Sequence, residues 1–369
     1  MKNNRVLLGL SGGVDSTAAA LLLKQQGYEV IGYYFDVLGT QVEGLEKARR
    51  AAEQLGIEFV HRTVVEEFEQ NVIQPFCDCY RTARTPNPCI ICNPTVKFGT
   101  MLEEANRLGA DWLATGHYAR LALVSGDTCA DDLAYEGGQR IRMAENRRKD
   151  QSYMLYRLPA EIVDRLILPL GDIDEKEKVR DLVRDFGVFN ADDKDSQEIC
   201  FIPDDDYVKY LEQRGIFAKE GDFIDGETGE AVGKHRGIIH YTIGQRKGLG
   251  VTFGKPRFVT KIDPVSHQVT LGSNEDLFDC TVAAEDIVFC GKIGETALNE
   301  AKNYIGKPLL GKVRYAAPPA ECVIESVSES KILIRFETPQ RAITPGQSVV
   351  LYDGEILVGG GFITVSKTT

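Results

Sequence analysis

Ser11-Gly12-Gly13-Val14-Asp15-Ser16 restricts the fold more than any other stretch of this chain. An apolar run, Val6-Leu7-Leu8-Gly9-Leu10, leads into it. A run with helical character, Thr17 to Gln26, leaves it and is closed by Gly27. Strand, glycine turn and helix in that order gather backbone N–H groups and a helix N-terminus around one point, which suits an anion. Two adjacent glycines carry no Cβ, so the backbone can come close to a phosphate. Ser11 and Ser16 can add hydroxyl donors, and Asp15 can cap the helix or hold a magnesium ion. A ligand-free strand-to-helix turn would use some of the same residues. The six together, in this setting, favour a phosphate.

The stretch has neither the Gly-x-x-x-x-Gly-Lys pattern of a Walker loop nor the Gly-x-Gly-x-x-Gly of a dinucleotide turn. It resembles the PP-loop of the ATP pyrophosphatases. That resemblance implies cleavage of ATP between the α and β phosphates, adenylation of a substrate oxygen and displacement of AMP by a nucleophile.

The pattern around the loop alternates strand and helix. Val30–Tyr34 reads as a second strand, Val42–Leu55 as a helix ending at Gly56, and Glu58–His61 as a third strand. Lys97–Leu108 reads as a helix ending at Gly109, and Trp112–Thr115 as another strand. This is the outline of an α/β doubly wound parallel sheet, whose ligands bind beyond the carboxyl ends of the strands. Ser11 lies at such an end, and so does Thr115-Gly116-His117-Tyr118. Gly116 could sit under an adenine or ribose, or could make a plain turn.

The 369 residues suffice for two or three domains, and 43% hydrophobic content suffices for real cores. No run approaches the ~20 apolar residues of a membrane helix. Met1-Lys2-Asn3-Asn4 runs straight into the first strand, so a signal peptide is not expected and a cytoplasmic location is. Nine cysteines in that setting are then core thiols or chemical groups rather than a disulfide framework. The net charge of −12 excludes a generally sticky nucleic-acid binder but not a local basic face. Ala231 to Lys261 contains no acid, while Lys234, Arg236, Arg246, Lys247, Lys255, Arg257 and Lys261 are basic. That one-sign stretch points to contact with a phosphate backbone rather than a merely solvated loop.

Arg84-Thr85-Pro86-Asn87-Pro88 is stiffened by its prolines and runs into Cys89-Ile90-Ile91-Cys92-Asn93. The Cys-x-x-Cys spacing permits half a zinc site, a redox pair or cluster ligation. Cys77-Asp78-Cys79 suggests an ordinary helix and supplies no matching half. Gly126–Arg147 reads as a surface hairpin or loop, Arg148 to Tyr153 as a helix start, and Asp174–Phe186 as an amphipathic helix closed by Gly187. Ile199-Cys200-Phe201-Ile202 reads as a short apolar strand, in which a cysteine is ordinarily a core thiol. Asp204–Arg214 reads as a helix. A small β-rich section with many glycines follows to about Asn274. Beyond Leu277, short strands with an Asp353-Gly354 turn suggest a β-barrel. The expected domains are 1–203, 204–276 and 277–369.

Together these motifs resemble the tRNA-specific 2-thiouridylases over nearly the whole chain. The resemblance rests on the PP-loop, Thr85-Pro86-Asn87-Pro88 with Cys92-Asn93, Ala114 to Tyr118, and Lys149-Asp150-Gln151-Ser152-Tyr153. It continues through Lys194-Asp195-Ser196 with Ile199 to Ile202, Tyr241 to Gly250, Val313-Arg314-Tyr315 and Thr344 to Ser348. It implies that ATP, with Mg2+, activates the C2 oxygen of the wobble uridine in the tRNA anticodon arm and that sulfur replaces it. By the same resemblance Cys200 carries a persulfide whose outer sulfur attacks C2, and Cys92 helps release it, leaving a Cys92–Cys200 disulfide for a reductant. Gly9, Leu10, Ser11, Gly12, Gly13, Val14, Asp15, Ser16, Phe35 and Gly116 would hold ATP. Asn87, Pro88 and Cys89 would border the base, and His117, Lys149, Asp150, Gln151, Arg314, Tyr315 and Gln347 would touch tRNA. A sulfur-donor protein, such as a cysteine desulfurase or a sulfur relay protein, is the implied partner.

Two positions depart from the family pattern. Phe35-Asp36 stands where many members have Met-Lys, and Cys89 where many have Asp. Cys89, Cys92 and Cys200 could instead ligate a [4Fe–4S] cluster whose open iron carries sulfide. Two rival functions remain distinct. A different ATP pyrophosphatase, such as an amidating synthetase, would need no essential cysteines, and a non-catalytic tRNA-binding protein would release no pyrophosphate.

Overall fold

In the computed structural model, which describes residues 2–124, 138–193, 199–202, 205–251 and 254–364, the first apolar run forms β1 (Arg5–Gly9). Val6, Leu7 and Leu8 have no exposed surface, as expected of a strand in the middle of a sheet covered on both faces. It is followed by α1 (Val14–Gln25), β2 (Glu29–Asp36), α2 (Val42–Leu55), β3 (Glu58–Thr63), the helix Phe98–Leu108 and β4 (Trp112–Ala114). The hairpin strands β5 (Arg120–Val124) and β6 (Gly138–Arg142) and the short β7 (Leu166–Ile167) complete this part. The sheet order is β3-β2-β1-β4-β7, and every pair in it is parallel. The chain leaves β1 toward β2 on one side and later returns to β4 on the other. The order therefore reverses between β1 and β4, where a doubly wound sheet opens a crevice.

Residues cluster into two compact units. Met1–Val72, Cys89–Gln197 and Glu355–Leu357 make the first, and Ile73–Pro88, Glu198–Gly354 and Val358–Thr369 the second. In the first unit, Ala18, Ala19 and Ala20 let α1 lie close on Val6, Leu8 and Leu10, with Val179 and Val183 of the helix Lys176–Asp185 in the same core. Gly56, Gly109 and Gly187 end their helices in left-handed conformation, at the positions their sequence marks. α1 starts three residues earlier than its helical pattern suggests, because extended Gly13 serves directly as its N-cap. Arg148 to Tyr153 does not open an α-helix and gives only the 3₁₀ turn Ser152–Leu155. The buried Asp150 carboxylate accepts from the N–H groups of Ala144 and Ser152, an alternative to helical bonding. Ile356 pairs with Arg142, and neighbouring Glu355 meets Arg120, Arg142 and Arg147.

In the second unit, the helices Gln74–Arg81 and Tyr207–Gln213 are joined by stacked Tyr80 and Tyr207, whose ring centroids are 4.9 Å apart. The middle sheet contains β8 (Gly221–Asp225), β9 (Ala231–His235), β10 (Phe258–Asp263) and β11 (Gln268–Gly272) in the order β10-β11-β8-β9. The strands β12 (Phe278–Phe289), β13 (Lys292–Ile293), β14 (Leu309–Lys312), β15 (Ala320–Val327), β16 (Lys331–Arg341), β17 (Ser348–Asp353) and β18 (Ile356–Thr364) follow. They run β12-β16-β15-β14-β17-β18, and β18 pairs back onto β12, so these six strands close into an antiparallel barrel, with β13 paired beside β12. The helix Gly294–Lys302, which buries Ala297, Leu298 and Ala301, has no counterpart in the strand pattern read from the sequence. Among the described residues no helix is long and apolar enough to cross a membrane.

Candidate functional site

The loop after β1 closes on itself through its side chains. Gly12 has φ +75°, and a Cβ there would stand 2.7 Å from the backbone of Lys47 and Ala48, so only glycine fits. The Ser16 and Thr17 hydroxyls each donate to the Gly13 carbonyl at 3.0 Å. Ser16 Oγ also accepts from the Ser11 N–H at 3.2 Å. Asn190, wholly buried, donates from Nδ2 to the Gly12 carbonyl at 2.7 Å and to Thr17 Oγ1 at 2.8 Å. The carbonyls of both glycines are thus held by hydrogen bonds. The first N–H groups of α1 have no partner within the helix and carry its positive end. Gly9 and Leu10 lead into the turn, and Val14 is buried beneath it.

Asp15 lies in the first turn of α1 and does not cap it. Its Oδ1 accepts from the Tyr118 hydroxyl at 2.7 Å and from Lys176 Nζ at 2.5 Å. A magnesium ion carried by a nucleotide commonly takes one or two carboxylates and keeps phosphate and water for the rest. Asp15 fits that limited role. Gly116 is packed against this same turn: a Cβ on it would stand 2.9 Å from the Asp15 carbonyl carbon and 3.0 Å from the Ser16 nitrogen. The close approach of two backbones therefore explains this glycine, a third possibility beside a nucleotide seat and a plain turn.

The residues after Gly116 form a tied strip. The Thr115 hydroxyl and His117 Nδ1 are 2.7 Å apart, and the His117 ring stacks on Phe98 with centroids 5.9 Å apart. Burial, aided by the Lys97 charge, pushes the His117 pKa well below its usual value, so the ring is neutral near pH 7. The Gln151 N–H donates to the Tyr118 carbonyl, and Gln151 Oε1 accepts from the Tyr118 N–H. Asp150 is turned inward, while Lys149 is half-buried. Phe35 is half-buried, with Lys97 Nζ 6.0 Å over its ring.

The short helix Pro88–Cys92 buries Pro88 and Ile90 and leaves Cys89 exposed and Cys92 half-exposed, one helical turn apart. Asn93 anchors its end by donating to the Met154 carbonyl at 2.9 Å. In the second unit, Cys200 departs from its expected setting. Residues 199–202 form a turn, closed by the Ile202 N–H on the Ile199 carbonyl, not a strand. Phe201 and Ile202 are buried, but Cys200 is exposed and is no core thiol. Phe201 is held edge-on by Phe76 at 5.3 Å and by Tyr210 at 5.5 Å. Cys77 and Cys79 lie on the helix Gln74–Arg81, as read, and burial pushes the Cys79 thiol up. The Lys194-Asp195-Ser196 motif and the 125–137 part of the hairpin reading lie outside the described residues. Among those described, no three His, Cys, Asp or Glu side chains are grouped to hold a metal ion.

Also in the second unit, Thr344 to Ser348 grips the segment before Asn87. The Thr85 N–H donates to the Pro345 carbonyl at 2.9 Å, and Gln347 Nε2 donates to the Thr85 carbonyl at 2.8 Å. Arg314 donates to the carbonyls of Arg341 and Ala342, and beside it Tyr315 lies 5.9 Å from Lys312 Nζ. The one-sign stretch is partly neutralised by its neighbours in the sheet. Lys234 meets its cross-strand partner Asp222 at 2.7 Å, Lys255 meets Glu227, and Arg257, with a side chain only 4% exposed, meets Asp225 and Glu227. Arg236, Arg246, Lys247 and Lys261 remain exposed.

Family models match the chain in three consecutive stretches. One described as a tRNA methyl transferase HUP domain covers residues 4–204, a tRNA methyl transferase PRC-barrel domain covers 208–273, and an aminomethyltransferase beta-barrel domain covers 304–363. The tRNA-specific 2-thiouridylase MnmA of Clostridioides difficile is 43% identical over 375 residues, spanning 99% of each chain. MnmA 2 of Clostridium botulinum is 42% identical over 98% of this chain and 99% of its own. MnmA of Clostridium acetobutylicum is 41% identical, again over 98% and 99%. Among solved structures, an NMN synthetase from Francisella tularensis is similar at 15% identity and a TM-score of 0.32, over 52% of this chain and 66% of its own.

Proposed function

The chain belongs to the tRNA-specific 2-thiouridylase family, and from that premise we propose that it replaces the C2 oxygen of the tRNA wobble uridine with sulfur at the expense of ATP. The observation that carries this reading is the anion-ready turn from Ser11 to Ser16, with both glycine carbonyls held by side chains. The turn binds the phosphates through the first N–H groups of α1 and the Ser11 hydroxyl, while the Ser16 hydroxyl, whose one proton goes to the Gly13 carbonyl, keeps the turn in shape for the nucleotide. Asp15 would hold the nucleotide's magnesium ion, which would supply charge neutralisation on the phosphates. Adenylation turns the C2 oxygen into part of a leaving AMP, and pyrophosphate departs.

Cys200, exposed on a turn whose neighbours are anchored, carries the sulfur as a persulfide and delivers it to C2. Cys92 takes the persulfide's inner sulfur into a disulfide as the outer one leaves. Both steps need thiolates. A partner protein with its own persulfide reloads Cys200 after a thiol reductant opens the disulfide. Residues 1–203 perform the chemistry. Residues 204–276 and 277–369 hold the tRNA with Arg314, Tyr315 and Gln347, while His117, Lys149 and Gln151 approach it from the first part, Asp150 serving that strip from beneath with its carboxylate turned inward, and Asn87, Pro88 and Cys89 border the base. Phe35 and Gly116 flank the nucleotide. The reaction belongs in the cytoplasm, where tRNA and ATP are available.

Incubation with ATP, tRNA and a persulfide donor, followed by nucleoside mass spectrometry and a pyrophosphate assay, tests the reading. Cys200→Ser is expected to lose 2-thiouridine formation by about a thousandfold or more while still releasing pyrophosphate on tRNA. Pyrophosphate release by wild type without any 2-thiouridine, unchanged in Cys200→Ser, would instead favour an amidating synthetase or other pyrophosphatase. An iron assay on anaerobically purified protein separates the persulfide from the cluster. Brown protein with about four irons per chain would replace the persulfide by the cluster.

A further inference from the structure

Asn190 lies in no motif of the family resemblance, yet its side chain bonds directly to the backbone of the phosphate turn. It is wholly buried and spends both amide hydrogens there, on the Gly12 carbonyl and on Thr17 Oγ1. The amide cannot be turned over, because the Gly12 carbonyl is only an acceptor and would then face Oδ1. Its Oδ1 is buried without a hydrogen-bond partner. The site thus keeps a side chain that leaves one polar atom unsatisfied, a cost that a better-matched residue would avoid.

What Asn190 gains is the orientation of a peptide plane. In a trans peptide the C=O of one residue and the N–H of the next point in opposite directions. Holding the Gly12 carbonyl inward therefore aims the Gly13 N–H outward, where it donates to Ser11 Oγ in a long, 3.4 Å bond at the exposed rim that an anion can displace. Thr17 does the same one peptide further on. Its hydroxyl accepts from Asn190 and donates to the Gly13 carbonyl, which aims the Val14 N–H outward. Without Asn190 the glycine would let the Gly12 plane rotate and present a carbonyl to the anion, whereas the Gly13 carbonyl is also held by the Ser16 hydroxyl and the Thr17 N–H. The segment around Asn190 is itself fixed: the Phe189 N–H donates to Gln54, Arg180 donates to the Ala191 and Asp193 carbonyls, and Lys47 meets Asp193 at 3.1 Å.

We propose that Asn190, acting with Thr17, is a positioning residue for ATP's pyrophosphate moiety, locking the two glycine peptides so that their N–H groups face the phosphates. The proposal rests on the nucleotide reading of this turn. The test compares wild type, Asn190→Asp, Thr17→Val and Thr17→Ser in the full chain, with ATP, inorganic pyrophosphate and AMP as separate probes and tRNA binding alongside. Asn190→Asp keeps the shape but sets a carboxylate oxygen against the Gly12 carbonyl. It is expected to weaken ATP and pyrophosphate about tenfold or more, with AMP and tRNA affinity within about twofold of wild type. Thr17→Val, which removes the acceptor that steadies Asn190 but leaves the Gly13 carbonyl on Ser16, should weaken the same two probes by less, and Thr17→Ser, which keeps the hydroxyl, should bind as wild type does.

Unchanged ATP affinity in both Asn190→Asp and Thr17→Val would overturn the proposal. So would equal weakening of AMP and ATP, which would mean general damage. If Asn190→Asp does not fold, the two Thr17 variants decide alone. Failure of wild type itself to bind ATP or pyrophosphate would instead sink the nucleotide reading.

Discussion

The tRNA contact proposed for His117 carries a consequence for how that contact is made. Its ring is neutral near pH 7, because burial and Lys97 oppose its proton. A neutral imidazole can meet a base edge or a ribose hydroxyl but releases no counterion from a phosphate. His117→Gln should therefore weaken tRNA binding while leaving the slope of log affinity against log salt unchanged. A cation on a phosphate would lower that slope by roughly 1 when removed, and such a drop for His117→Gln would contradict this account. Other single residues were only partly legible. Gly12 and Gly13 could be read as a close-approach turn from their neighbours alone. Gly116 could not be resolved, because the atoms it must avoid belong to Asp15 and Ser16, a hundred positions away in the chain. Cys200 was misread because two apolar neighbours do not fix which way the residue between points, and four residues are too few for a period. Asn190 gave no signal at all, since an asparagine in a loop is ordinary until its carbonyl partner is known.

At the level of elements, the middle sheet shows why a linear run of charge is a poor guide to a surface. The acids missing between residues 231 and 261 sit on and just after β8, which pairs with β9. The Glu227 carboxyl is held below its usual range by Lys255 and then Arg257, and Asp225 first by the Glu227 N–H and later by Arg257. Carboxylates lowered in the folded state contribute stability above their ordinary values of 4.5 and 3.8, and that contribution is lost as pH falls through the lowered values. The thermal midpoint should thus drop on acidification through this range. Arg257→Met should make the drop shallower without removing it, since Lys255 and the backbone donors remain. An identical acid profile in thermal melts would refute the assignment. Helix ends were the most legible elements, because Gly56, Gly109 and Gly187 each follow an apolar period. The 3₁₀ turn at Ser152 was not, because Asp150 competes for the backbone from inside the core.

For the whole molecule, a net charge of −12 must coexist with a polyanionic substrate. Attraction then has to come from cations not already matched by carboxylates. Arg246→Ala with Lys247→Ala should lower the salt slope of tRNA binding by about 2, and Lys234→Ala, whose charge already faces Asp222, by much less. Equal effects in salt titrations would mean that the ion pairs do not persist in solution. The alternation of strand and helix made the parallel sheet legible early. The short strands beyond Leu277 made the barrel legible too, but not which strands close it, because the β18 return to β12 joins segments seventy or more positions apart. Residues 73–88 belong to the second unit although most of the chain around them builds the first. Tyr80 leans on Tyr207, and Thr85 is gripped by Pro345 and Gln347. A gene truncated after codon 203 would therefore yield a polypeptide with an orphaned aromatic face, prone to aggregate on expression. Recombination that shuffles the front and back halves between distant homologues would meet the same obstacle, so the two must be inherited as a pair.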